Sequence, residues 1–374
     1  MLDVTTADNA FGFGLLRAVQ KEHQHGNVVL SPVSAALDLS MALNGATDET
    51  AAQMQKMLAI GGADLAAINS ANQDLMKTLR TPATDVTLSV ANAIFADQHR
   101  APLRADYVAQ VKHWYDSEVA NLDFGSPHAP ATINGWADKE THGKIPKIVD
   151  VLDPNEVALL LNAIYFKGQW THKFDKSATH EAGFTLASGS AVKLPRMSQT
   201  GKFDYFETSA LQAIRMPYGK GDLAMDVLLP SKTSSLAELE SALTTDAWKM
   251  WDARFSSQQG TIELPRFELK NTYRLNEALE SLGMVLAFDP QGAHFSKMSP
   301  RQVSISDVKQ FTYLKVDEQG SEAAAVTSIG MVALAMPHPT MPFHMIVDRP
   351  FLCTIEDRRS HALLFIGAIY DPRE

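Results

Sequence analysis

The sequence has 374 residues, 45% of them hydrophobic and 20% charged, which is ample material for a folded core and shows no sign of disorder. A formal charge of −10 argues against phosphate backbones and anionic membranes, so neither nucleic acid nor membrane is expected as a partner. The single cysteine, Cys353, excludes an intramolecular disulfide and lies in the apolar run 351–355, where it reads as a small buried hydrophobe.

Residues 8–24 predict an amphipathic helix with Phe11, Leu15, Ala18 and Val19 on one stripe. Ser31-Pro32 marks a helix start, and the apolar run from Val33 to Leu43 ends at Asn44-Gly45. Further helices are predicted over 47–58, 66–79, 105–115 and 131–140, with an alternating strand over 88–95 between them. From there strands dominate. Residues 157–166 are almost wholly apolar and suit a strand buried on both faces. Residues 203–206, 211–216, 223–229 and 260–269 read as β, separated by turn signals such as Tyr218-Gly219. Helices over 236–243 and 275–282 interrupt them, and strands over 311–316, 343–347, 351–355 and 362–369 close the chain. No linker, repeat or low-complexity tract divides it, so residues 1–374 read as one α+β domain with substantial sheets. No basic leader or long apolar span appears, and the compartment stays open.

Chemistry-bearing motifs are mostly missing. There is no G-x-S-x-G, no H-E-x-x-H, no cysteine pair and no phosphate-cradling glycine loop. His23 and His25 read as a polar helix end rather than metal ligands, and His338 and His344 as loop residues. No enzyme, cofactor or metal is expected.

One stretch fits neither a helix nor a solvated loop. In "GSEAAAVTSIGMVAL", residues 320–334, the alanines suit a helix, but Val326, Thr327 and Ile329 are β-branched and Gly320 and Gly330 interrupt it. No charge follows Glu322 until Asp348, and Pro337, Pro339 and Pro342 cluster beyond. These are properties that would let a segment take up a strand buried in a sheet. Proline is excluded because it cannot donate to the ladder, and one face must be small or apolar. Period-two spacing puts Ser321, Ala323, Ala325, Thr327, Ile329, Met331 and Ala333 on that face. From Ser321 to Leu334 the strand would reach roughly 46 Å at about 3.3 Å per residue.

"VDEQGSEAAA", residues 316–325, resembles the hinge of the serpins, the serine protease inhibitor family. "NVVLSPVS" (27–34), "LSVANAIF" (88–95), "INGWADKETHGKI" (133–145) and "LNAIYFKGQW" (161–170) fall in serpin order. So do "MPYGKGDLAMDVLLP" (216–230), "LPRFELKNTYRLNEALESLGM" (264–284), "DRPFLCTI" (348–355) and "LFIGAIYDP" (364–372), and the likeness spans the chain. The resemblance implies three β-sheets, about nine helices and an exposed reactive-centre loop, here about 320–340, after a central strand over 311–318. It implies a monomer that a target serine protease attacks as substrate, forming an acyl-enzyme. The loop then inserts into the sheet and the protease is trapped, a known instance of strand addition and of released strain. New ladder bonds at about 0.5–1.5 kcal/mol each, over fourteen residues, would contribute on the order of 10–20 kcal/mol. That rivals a whole domain's stability, about 5–15 kcal/mol, so the uninserted state is kinetically trapped.

Carried over residue by residue, the hinge comprises Glu318, Gly320, Ser321, Glu322, Ala323, Ala324 and Ala325, with Ser321 at the root of the exposed loop. Ser31, Ser34 and Asn162 match positions under the sheet where it parts, and Gln310 stands where the family commonly has histidine. Trp170 matches the tryptophan at the point of first insertion, and Arg266 is the candidate partner of Glu318. Counting fourteen residues from Ser321, as inhibitory members do, puts the scissile bond at Leu334-Ala335. Leucine there suits chymotrypsin-like pockets, with elastase-like cleavage next. No arginine or lysine lies between 319 and 348, which argues against trypsin-like targets. The alternative is a non-inhibitory member acting as carrier, chaperone or storage protein.

Overall fold

The computed structural model describes residues 2–81, 85–153, 155–321 and 341–373. Helices prevail early: α1 (Val4–Glu22), strand β1 (Val28–Leu30), α2 (Pro32–Leu43), α3 (Asp48–Met57), α4 (Leu65–Leu79), β2 (Val86–Asp97), α5 (Ala105–Tyr115), β3 (Glu118–Leu122) and α6 (Ala129–Glu140). Next come β4 (Ala158–Gln169), β5 (His180–Thr185), β6 (Ala191–Glu207), β7 (Leu211–Tyr218), β8 (Leu223–Pro230), α7 (Leu236–Ala242) and α8 (Thr245–Asp252). β9 (Ser256–Pro265), β10 (Phe267–Arg274), α9 (Asn276–Ser281), β11 (Asp307–Val316), β12 (Gly320–Ser321), β13 (Phe343–Ile346), β14 (Phe351–Asp357) and β15 (Ala362–Ile369) follow.

Local chemistry sets several boundaries. Pro32 occupies the first turn of α2 behind the Ser31 cap, whose hydroxyl accepts the Ser34 N–H. The Asp64 carboxylate caps α4, and Ser235 with Glu238 forms a reciprocal capping box on α7.

The strands form two hydrogen-bonded sheets among the described residues. The central sheet runs β10-β11-β4-β2-β3, with β12 on β4. The larger runs β1-β15-β14-β8-β7-β6-β9-β13, with β5 on β6. The expected second and third sheets form one ladder because the 17-residue β6 pairs β5 over 191–196, β9 over 196–205 and β7 over 204–207. The central sheet is covered on both faces, as its apolar β4 requires. Leu161, Tyr165, Phe311 and Phe95 meet α6 through Ile133 and Trp136, while Leu160, Ile164, Phe166 and Leu314 join the main core on the other face.

Several boundaries differ from the sequence reading. Residues 260–269 form parts of two strands, because the chain breaks at Pro265 and the Arg266 N–H turns to Pro195 O at 3.1 Å. The central strand ends at Val316 rather than Glu318, and Asp317 to Gly320 make a turn. His23 and His25 point apart, their rings against Tyr273 and Tyr370.

Candidate functional site

The site begins where β11 turns back. The Asp317 N–H donates to Gly320 O at 2.9 Å, the Gly320 N–H returns to Asp317 O at 3.2 Å, and the Asp317 carboxylate accepts the Gln319 N–H at 2.8 Å. Gly320 is required here. Its φ is +144°, and a Cβ would fall 2.0 Å from Gly168 O.

The turn delivers β12 into the space between β11 and β4. Gly320 pairs with Gln169 on one side and Asp317 on the other, and Ser321 pairs with Gly168. Further along, β11 and β4 pair directly and in parallel, with Tyr313 opposite Tyr165 and Gln310 opposite Asn162. Carried on, that register puts Asp317 opposite Gln169, the two residues that flank Gly320. β12 is therefore antiparallel to β4 and, at Gly320, in register with the continuation of β11 as well.

Ser321 is fully buried, which corrects the expected exposed position. Its hydroxyl lies 2.7 Å from Tyr218 Oη, and the Tyr218 ring stacks on Trp170 at 4.4 Å with a 12° tilt. Trp170 is tied to the turn twice: Nε1 donates to Asp317 O at 2.9 Å, and its backbone N–H donates to Gln319 O at 2.9 Å.

Glu318 reaches the other way and is 2% exposed. Arg266 Nε donates to its carboxylate at 2.7 Å, with Nη2 and the Thr179 hydroxyl on the same oxygen. Burial pushes the Glu318 carboxyl up, but the Thr179 and Arg266 hydrogen bonds outweigh it and hold the group below its usual range.

Below the turn, a polar row crosses β2, β4 and β11 on the core face: Asn92, Asn162 and Gln310 stand opposite one another. Gln310 Nε2 donates to Asn162 Oδ1 at 2.7 Å and to Ser31 O at 3.0 Å, and its Oε1 accepts the Ser31 N–H at 2.8 Å. The Asn162 amide donates to Ser34 Oγ and meets the Asn92 side chain. All five residues are buried. The row spans the β4–β11 seam, and none of its members is ionisable.

The structure thus gathers Glu318, Gly320, Ser321, Trp170 and Arg266 at the turn, and Ser31, Ser34, Asn162 and Gln310 beneath the seam. Glu322, Ala323, Ala324, Ala325, Leu334 and Ala335 lie outside the described residues. Sequence reasoning missed Tyr218, Thr179 and Asn92. Tyr218-Gly219 read only as a turn, and a hydroxyl or amide within a strand carries no mark of its partner. Among the described residues no cluster of His, Cys, Asp and Glu could hold a metal, and no helix is long and apolar enough to cross a membrane. Burial pushes the Cys353 thiol up to about 12.

The family described as Serpin (serine protease inhibitor) matches residues 6–372. The leukocyte elastase inhibitor of Equus caballus is 32% identical, over 100% of both chains. A thermophilic serpin, tengpin, in its native state superposes with a TM-score of 0.89 at 30% identity, over 98% of this chain and 94% of that one. Thyroxine-binding globulin in complex with thyroxine superposes with a TM-score of 0.88 at 27% identity, over 100% of both chains.

Proposed function

The chain belongs to the serpin family, and we propose that it is an inhibitory member, a suicide substrate for serine proteases of chymotrypsin-like or elastase-like specificity. The protease cuts at Leu334-Ala335 and is held as the acyl-enzyme while the loop enters the central sheet.

The observation that carries this reading is the shared register of β12, β4 and β11. Insertion then requires β4 and β11 to part sideways without sliding. Continued in that register, Ala323 comes between Phe166 and Leu314, and Ala325 between Ile164 and Thr312. Thr327 comes between Asn162 and Gln310, where its hydroxyl replaces a cross-strand amide bond with bonds to either side. Ile329 comes between Leu160 and Val308. Each inward residue meets a chemistry it can satisfy. Loop residues after Ser321 carry only Glu322 as a charge before the cut, and period-two spacing would put it on the face opposite Ala323 once inserted.

Incubation with chymotrypsin and with pancreatic elastase, then a denaturing gel, tests the proposal. A band near the summed mass of chain and protease supports it, and loop cleavage without such a band contradicts it. The second reading is a carrier. A cleft of about 310 Å³ lined by Phe13, Trp248 and Lys249 supports it, as does the likeness to thyroxine-binding globulin. Cleavage without complex, together with saturable binding of a small aromatic acid, would favour it.

A further inference from the structure

Where α8 docks on the larger sheet, one guanidinium serves three carboxylates from three elements. Arg215 on β7 donates to Asp226 on β8 through Nε at 2.7 Å and Nη2 at 2.6 Å. The same Nη2 lies 2.8 Å from Asp252 Oδ1, at the end of α8, and 3.4 Å from Glu356 Oε2 on β14. Phe255 covers the guanidinium at 4.3 Å. Arg215, Asp226 and Glu356 are buried, while the Asp252 side chain keeps 33% of its exposure. His361 Nδ1, on the β14–β15 turn, is 2.9 Å from Glu356 Oε1.

The surrounding elements add no second buried cation. β15 carries no charged residue, and α7 directs Glu240 to the Tyr370 hydroxyl at 3.2 Å. Arg358 pairs with Asp204 at 3.8 Å. α1 contributes Asp3, held by Thr6, and the buried Asp8. Lys249 lies on the rim of the cleft between α1 and α8.

Three carboxylates against one buried cation leave a surplus of negative charge, which favours a proton kept on the cluster. Burial, reinforced by Asp226, pushes the Glu356 carboxyl up to about 7. Asp252 is the member free to leave. It is partly solvated, and a carboxylate at a helix C-terminus opposes the helix dipole, so Arg215 alone favours its position.

We propose that a proton on Glu356 latches α8 over the α1–α8 cleft. With Glu356 neutral, Arg215 holds Asp252 and the C-terminal end of α8 is pinned to the sheet. With Glu356 ionised, the guanidinium is oversubscribed, Asp252 turns to solvent and that end of α8 lifts. Because the folded carboxyl is raised above its ordinary value, about 4.3, its stabilisation is complete below that value. It is lost as pH rises through about 7, so the alkaline form is the loose one.

Hydrogen exchange of the full chain at pH 6 and pH 8.5, corrected for intrinsic rates, reads the latch directly. Protection of peptides covering 245–255 should fall about tenfold or more at the higher pH, while peptides from β4 stay unchanged. Glu356→Gln should abolish the pH dependence and keep α8 protected. Asp252→Asn, on the partly solvated side, should leave α8 loose at both pH values. A wild-type α8 whose protection does not change with pH, or an Asp252→Asn variant that retains the fall, would overturn the proposal.

Discussion

Ser321 Oγ lies 2.7 Å from Tyr218 Oη, with both side chains shut off from solvent. Ser321 is thus seated in the sheet, so a substitution there is expected to be felt in the stability of the intact chain.

Ser321→Arg is expected to expel β12. An unpaired buried charge costs several kcal/mol, whereas leaving the sheet forfeits only a few hydrogen bonds, about 1–3 kcal/mol. Thermal unfolding should show a lower Tm for the intact variant. Protease digestion should yield cleaved product in place of covalent complex, because the first step of insertion is blocked. Ala324→Ser, on the alternate face, is the control, and both variants trapping protease equally would refute the hinge assignment.

Gly320→Ala tests the close approach itself. With φ at +144° and Gly168 O where the methyl must go, the turn has to open at a cost of about 1–3 kcal/mol. Limited proteolysis near 317–321 should become faster. An unchanged cleavage rate would mean that the turn is not fixed by this contact.

The Arg266–Glu318 pair predicts a dependence on acid. Glu318 is depressed in the folded state, so its stabilisation is present above its ordinary value, about 4.3, and is lost as pH falls through the lower folded value. Arg266 is 40% exposed at its side chain, so solvent screens part of the interaction. Arg266→Ala should cost about 1–2 kcal/mol at pH 7, and the difference from wild type should shrink in acid. A difference that holds constant to pH 3 would exclude Glu318 as the partner that matters.

Asp38 on α2 predicts the opposite sign. Among the described residues neither of its oxygens has a hydrogen-bond partner, and burial pushes its carboxyl well above the ordinary range. Its stabilising contribution is present in acid and lost as pH rises. Asp38→Asn should raise Tm by roughly a few degrees at pH 8, with the gain fading toward pH 4. A variant less stable than wild type at pH 8 would show that the carboxylate has a role of its own.

Legibility in the sequence followed the strength of local patterning. α5 and β15 match their expected bounds, since one has a clean helical stripe and the other is buried along its length. β6 was visible only at residues 203–206. Its first half is a polar ladder between β5 and β9, and its exposure does not alternate regularly. α8 went unseen because Asp246, Lys249 and Asp252 make it polar apart from its two buried tryptophans. At the site, Gly320 was named by the resemblance, and its backbone constraint shows only in the turn. Partners supplied by remote segments were not readable: Thr179, just before β5, and Tyr218, at the end of β7, meet Glu318 and Ser321 only in the folded chain.

The most direct test of loop insertion is the thermal unfolding of the chain cut at Leu334-Ala335 without a trapped protease, compared with the intact chain. Insertion in the register set by β12 completes the ladder between β4 and β11, and Tm should then rise by tens of degrees, roughly what some 10 kcal/mol provides. A cut chain that unfolds at the temperature of the intact one would contradict the account.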